Sequence, residues 1–209
     1  MTEPRWDTAT RPGGFERLLE GSCCPAAGEI LLAIASEFRP VDAARVSFRL
    51  DELARRLFDA ALSGDPRTAA HSLATLLTDE LGLRSDETSL DGLWLDSALE
   101  RRVGHPLALT VIAAEIGRRA GVPVGVCSTE WGWYAGIGEP ERLWLIDPAT
   151  DPGPTPEGPV RSHCGHEVAF AALTGVYARL VRDGDAVGAH RAARLRGCLP
   201  VTRHDPRSS

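Results

Sequence analysis

The stretch ERRVGHPLALTVIAAEIGRRAGVP, Glu100 to Pro123, constrains the fold of this chain more than any other segment. It reads as one helix with sharply marked ends. Gly104 makes a tight turn before it, and Pro106 stands in its first turn, where the missing N–H would lack a helical partner anyway. Gly121 and Pro123 close it. Everything ahead of this segment reads as helical. Pro25 to Phe38 sets Ile30, Leu31, Ile34 and Phe38 at helical spacing, with Pro25 suited to a first turn. The next stretch carries Val46, Leu50, Leu53, Leu57, Phe58 and Leu62 as one face behind a cap at Asp42. A third helix runs from Asp65 to Leu81 and stops on Gly82, and a short fourth is expected around Leu93, Trp94, Ser97, Ala98 and Arg101.

Beyond Gly121 the pattern changes. VPVGVCST, WGWYAGI and RLWLID are three strand candidates separated by Gly and Pro turns, which makes a small antiparallel sheet. PATDPGPTPEGP is a loop, and two amphipathic helices joined at Gly184 follow from Gly165. The expected class is therefore α+β. A flexible arm covers 1–13, a single domain covers 14–200, and a disordered tail covers 201–209. Within the domain, 14–99 is helical, 100–161 holds the core helix and sheet, and 162–200 holds the C-terminal helices. No period of about 20 to 50 residues repeats, so a solenoid is not expected.

Composition narrows the chemistry. With 29 acidic residues against 23 basic ones the net charge is −6, and no basic run offsets it, so a nucleic-acid backbone is not the expected partner. All 23 basic residues are arginine. Schiff-base catalysis by lysine and the lysine of a phosphate-binding loop are thereby excluded. No apolar run reaches the roughly 18 residues of a membrane span, and the N-terminus lacks a basic-then-apolar signal pattern, so a cytoplasmic protein away from membranes is expected. Cys23, Cys24, Cys127, Cys164 and Cys198 are odd in number and unpaired in spacing, as expected of small buried hydrophobes rather than a disulfide framework.

The frame resembles transglutaminase-like enzymes of papain-like fold. There a Gly-x-Cys opens a helix that closes on Arg and Gly-(Ile/Val)-Pro, and a His-x-Trp strand and a strand ending in Asp follow. Here Gly104, Arg118 and Gly121-Val122-Pro123 hold the frame, with WGWY on the second strand position and LWLIDP on the third. The fuller likeness is to the SirB1-like branch of that superfamily. It covers about 26–200 and is carried mainly by Leu99 to Pro123. The closing helices, with RDGD and CLP, resemble half of a tetratricopeptide unit. By this resemblance the nucleophile position falls on Pro106, the histidine position on Trp131, and an Asn-Ser pair on Gly92 and Leu93. Asp147 alone remains of the triad. A triad without nucleophile and base does not perform thiol acyl transfer, because its members act as a unit.

The candidate residues follow from that alignment. Asp147 is either the retained carboxylate or an Asp-Pro turn former. Trp131, Trp133 and Tyr134, with Trp144, either pack the sheet on the Pro106 helix or form a ligand or partner platform. His105 is a cap, a surface residue or a ligand contact, and Glu130 is a second carboxylate near the cleft. Cys127 could point into the cleft or into the sheet. SHCGHE, Ser162 to Glu167, has metal-ligand residue types, but a closed zinc site needs a second ligand pair and none is recognised. It is read as a loop entering the last helices, with no metal and no cofactor expected. Two functions stand out. The first is a non-catalytic binding or accessory subunit of another, biosynthetic enzyme, with a protein partner. The alternative is a repurposed enzyme using Asp147 as its carboxylate on a small amino-acid- or peptide-like substrate, within a complex. A thiol enzyme using Cys127 or Cys164 is the third and least favoured.

Overall fold

The computed structural model describes residues 14–21, 24–139, 142–149 and 158–200. The arm at 1–13, the tail at 201–209, Cys23 and the loop at 150–157 lie outside the described residues. The first hundred residues form α1 (Gly14–Gly21), α2 (Ala27–Ser36), α3 (Ala43–Arg55), α4 (Phe58–Leu62), α5 (Pro66–Thr75) and α6 (Leu95–Arg101). Asp42 caps α3 by accepting the Arg45 N–H at 3.0 Å, and Asp65 caps α5 by accepting from Arg67 and Thr68. A π-helical turn, Leu76–Glu80, extends α5, and Gly82 ends it at a φ of 61°.

One expected helix is two. Val46, Leu50, Leu53 and Leu57 are buried, whereas Phe58 and Leu62 are exposed. At about 100° per residue, Phe58 and Leu62 fall roughly 120° and 160° away from Val46 around the helix, off the stripe that faces the core. The chain breaks at Arg56 and Leu57, and the short α4 continues outside the core.

Arg102, at a φ of 58°, ends α6 in the left-handed conformation. Gly104 is therefore not the turn former. It lies in β2 (Val103–Gly104), which pairs in parallel with β1 (Arg84–Ser85), aligning Ser85 with Gly104. Glycine is needed there for space: a Cβ would meet Ala98 Cβ at 2.7 Å and Gly92 O at 3.1 Å. This two-stranded ladder gave no sequence signal, since two-residue strands have no period to read.

Helix α7 (Pro106–Arg119) follows, and every residue from Leu107 to Gly117 is buried. It packs on α2, α3 and α6 on one side and on the sheet on the other. The sheet comprises β3 (Val124–Thr129), β4 (Gly132–Ile137), β5 (Trp144–Ile146) and β6 (Arg161–His163), in the order β5-β4-β3-β6 with antiparallel neighbours. The three expected strands are present. The fourth, β6, corrects the reading of Ser162 and His163 as loop; its polar Arg-Ser-His run is recruited by pairing with β3, Cys127 opposite Ser162. Helices α8 (Gly165–Arg182) and α9 (Ala186–Gly197) turn at Gly184, whose φ is 77°. Buried apolar side chains from Phe15 to Leu199 form one cluster. No helix among the described residues is long and apolar enough to cross a membrane.

A single buried carboxylate joins these helices. Glu115 of α7 accepts the Gly28 N–H at 3.2 Å at the start of α2, where a helix favours negative charge. Its other oxygen takes Arg118 at 2.8 Å and Arg119 at 3.4 Å. Arg119 reaches on to Ser47 Oγ at 2.9 Å and Asp51 at 2.5 Å on α3. Gly28 has no side chain because Glu115 fills the space; a Cβ would lie 2.6 Å from Glu115 Cγ. Replacing Glu115 by Ala is expected to lower unfolding free energy in urea by about 3 kcal/mol, the low end for breaking a buried pair because both arginines reach water. A loss below about 1 kcal/mol would show that α2 and α3 dock without this carboxylate.

Candidate functional site

A cleft of about 540 Å³ opens at the first turn of α7. The β1–β2 ladder delivers one wall: it sets Ser85 and Glu87 beside His105 and Pro106. The buried Arg179 of α8 fixes that wall from behind by donating to the Glu87 carbonyl. The facing wall is the β3–β4 hairpin, from Ser128 through Thr129, Glu130, Trp131, Gly132 and Trp133 to Tyr134. Asp147 and Ala149, just after β5, close the end.

His105 is the N-cap of α7, its Nδ1 accepting the Leu107 N–H at 3.2 Å. That bond requires the neutral ring with its proton on Nε2. Burial depresses the His105 pKa below its ordinary value, and the Arg179 charge adds to this against weaker pulls from Glu87 and Asp86. On the opposite wall Trp131 is 73% exposed at the hairpin tip, its backbone N–H held by Thr129 Oγ1 at 3.1 Å. Trp133 is half-buried and lies against the ring of His163, with centroids 4.8 Å apart. Ser128, on the cleft wall, and His163 Nε2 are hydrogen-bonded at 2.7 Å. Behind the ring, Glu167 Oε2 lies 3.7 Å from His163 Nδ1. Burial opposes ionisation of Glu167, but Arg161 and the Cys164 N–H outweigh it and hold the carboxyl below the usual range. Burial also lowers the His163 pKa.

All six residues singled out in the sequence, His105, Glu130, Trp131, Trp133, Tyr134 and Asp147, line this one cleft with Pro106. Their roles differ from a uniform platform. His105 is committed to capping, and Asp147 Oδ1 accepts the Ala149 N–H at 2.9 Å, the turn-forming use of an Asp before Pro. Trp144 lies elsewhere, in a groove with Arg67 over its ring at 5.6 Å. Ser85, Glu87, Ser128 and His163 were missed. Only the fold brings them together, although His163 falls in the SHCGHE segment that had drawn notice for its residue types.

No cysteine lines the cleft among the described residues. Cys127 is buried beside Ser162 Oγ at 3.8 Å and over Gly136, and burial raises its pKa, the opposite of an activated thiol. Cys164 is buried as the N-cap of α8, outside the cleft. Cys198 is exposed, contrary to the expectation of a buried hydrophobe. Three carboxylates, Glu87, Glu130 and Asp147, line the cleft with no arginine among its lining residues. Carboxylates beside indole and phenol rings suit a cationic, amine-bearing group.

A family model described as the transglutaminase-like superfamily matches residues 44–152, from α3 to just past β5. That span contains every cleft-lining residue and leaves out α8 and α9. No curated protein and no solved structure matches the chain.

The depressed pKa of His105 makes stability depend on pH. In the unfolded chain the imidazole titrates near 6.5, so as pH falls below that value the unfolded state takes up the proton first and stability drops until the folded pKa is passed. Denaturant melts between pH 7.5 and about pH 5 should show this fall. His105→Asn, which keeps an N-cap acceptor without titrating, should flatten part of the slope. An unchanged slope in that variant would remove His105 from the account.

Proposed function

We propose that this chain, which belongs to the transglutaminase-like superfamily, uses the cleft at the head of α7 to hold a ligand rather than to carry out thiol acyl transfer. The observation that supports this most is Pro106 in the first turn of a helix whose cleft, among the described residues, is lined by no cysteine. By the likeness to the SirB1-like branch, Pro106 stands where the nucleophile would be and Trp131 where its histidine would be. An amine-bearing, peptide-like segment fits the acidic and aromatic lining. The chain then acts as a binding or accessory subunit of another enzyme, such as a biosynthetic one. Its closing helices, similar to half of a tetratricopeptide unit, carry exposed Phe170, Tyr177, Val181 and Val187 and offer a second docking face.

The test is purification of the tagged chain from its native host, followed by affinity measurement with whatever protein co-elutes. Trp131→Ala should weaken that partner at least about tenfold, as expected of an exposed aromatic anchor. A chain that stays monomeric under every condition, or a partner indifferent to Trp131→Ala, would count against the reading.

A second reading is a repurposed enzyme in the same cleft, and the Ser128–His163 contact favours it. The imidazole would take the Ser128 hydroxyl proton on Nε2 as the oxygen adds to an acyl carbon and return it to the amine or alkoxide expelled as the substrate's acyl bond breaks. Water then releases the acyl group; Glu167 lies behind the ring to orient it. Asp147 is the weaker candidate base, since one of its oxygens is engaged in the turn. A serine-directed fluorophosphonate that labels the wild type but not Ser128→Ala would establish this reading. Absence of labelling in both, with the protein folded, would dismiss it.

A further inference from the structure

The α8 N-terminus gathers a second set of side chains that neither the cleft nor the family likeness uses. Cys164 is the N-cap of α8 and His166 is the second residue of the helix, both buried. Cys24, half-buried and lying just ahead of α2, reaches the same point from the other end of the chain. The two sulfurs and a ring nitrogen of His166 all lie within 4.8 Å of one another. The approach is built in by Gly165 between the two ligands, because a Cβ there would collide with the Pro25 carbonyl oxygen.

We propose that Cys24, Cys164 and His166 bind a zinc ion that clamps the entry of α2 onto the start of α8. The donor set decides the metal class. Two thiolates and an imidazole suit a borderline-soft divalent ion with tetrahedral preference, whereas calcium and magnesium demand oxygen. With Zn–S near 2.3 Å, tetrahedral neighbours lie about 3.8 Å apart, so three atoms within 4.8 Å need close in by only about 1 Å. Binding replaces two thiol protons with the metal, and the positive ion relieves the repulsion that two neighbouring thiolates would otherwise suffer. Three protein ligands leave one position for water. SHCGHE is expected to lack a second ligand pair, and the fold brings a single further ligand-type side chain, Cys24, beside it.

The clamp adjoins the cleft without belonging to it. Cys164 follows His163 directly, so the ion would steady the β6–α8 joint that holds the imidazole against Ser128 and Trp133.

Full-length protein purified anaerobically without chelator is the material for the test. Zinc content by elemental analysis should be stoichiometric in the wild type and in Cys198→Ser, and lost in Cys24→Ser and Cys164→Ser. Cobalt(II) added to chelator-stripped protein should give the intense visible bands of a tetrahedral site with thiolate-to-cobalt charge transfer. Chelator should lower the Tm of the wild type, which keeps the test valid should a cysteine variant fold poorly. Zinc-free protein whose cobalt spectrum shows no charge-transfer band would overturn the proposal. So would a Cys24–Cys164 disulfide that persists under anaerobic isolation. These readouts involve no cleft ligand, so they stand or fall apart from the function proposed above.

Discussion

The structure depends on a helix with no face left for water. Residues Leu107 to Gly117 of α7 are all buried, so helices must cover one side and a sheet the other. A carboxylate in the middle of such a helix would be ruinous unless fully matched, and Glu115 is matched on both oxygens. Its reach to the α2 backbone, and through Arg119 to α3, turns a potential penalty into a fixed relation among three helices. The start of α7 inherits that rigidity, and the cleft inherits it in turn.

Much of this was legible in the sequence. The cap at Asp42, the start of the third helix at Asp65, the ends of α7 and the three main strands have local causes, in side chains placed beside the backbone groups they satisfy. The six candidate residues converge on one cleft because they were placed by a family frame, and residues 44–152 match that family. What stayed hidden has long-range causes. Phe58 and Leu62 were misread because apolar identity outweighed angular position. The β1–β2 ladder and β6 are recruited by partners far along the chain, as is the meeting of Cys24 with Cys164 and His166. No window of sequence contains both halves of such a contact.

His105 shows how a site residue can be both structural and exposed to chemistry. Its ring completes the first turn of α7 and also lines the cleft, so its hydrogen-bonding capacity is half spent before any ligand arrives. The same holds for Asp147. Of the polar groups in the cleft, Ser128 is the one engaged with a buried imidazole.

The wall at Ser85 and Glu87 is held at its middle by a few hydrogen bonds. Arg84 N–H bonds to the Arg102 carbonyl at 2.9 Å, Asp86 N–H to the Gly104 carbonyl at 2.8 Å, and Arg179 holds the Glu87 carbonyl. Each such bond contributes about 1 kcal/mol net, far less than melting the fully enclosed helix beside it. The crevice therefore has one jamb built on the enclosed helix and one strapped down at a few points: Leu83, Leu93 and Trp94 anchor the segment ahead of α6 in the core, and the run from Ser85 to Glu87 between them rests on those bonds. Of the two sides, that run is where a bulky guest meets the least resistance.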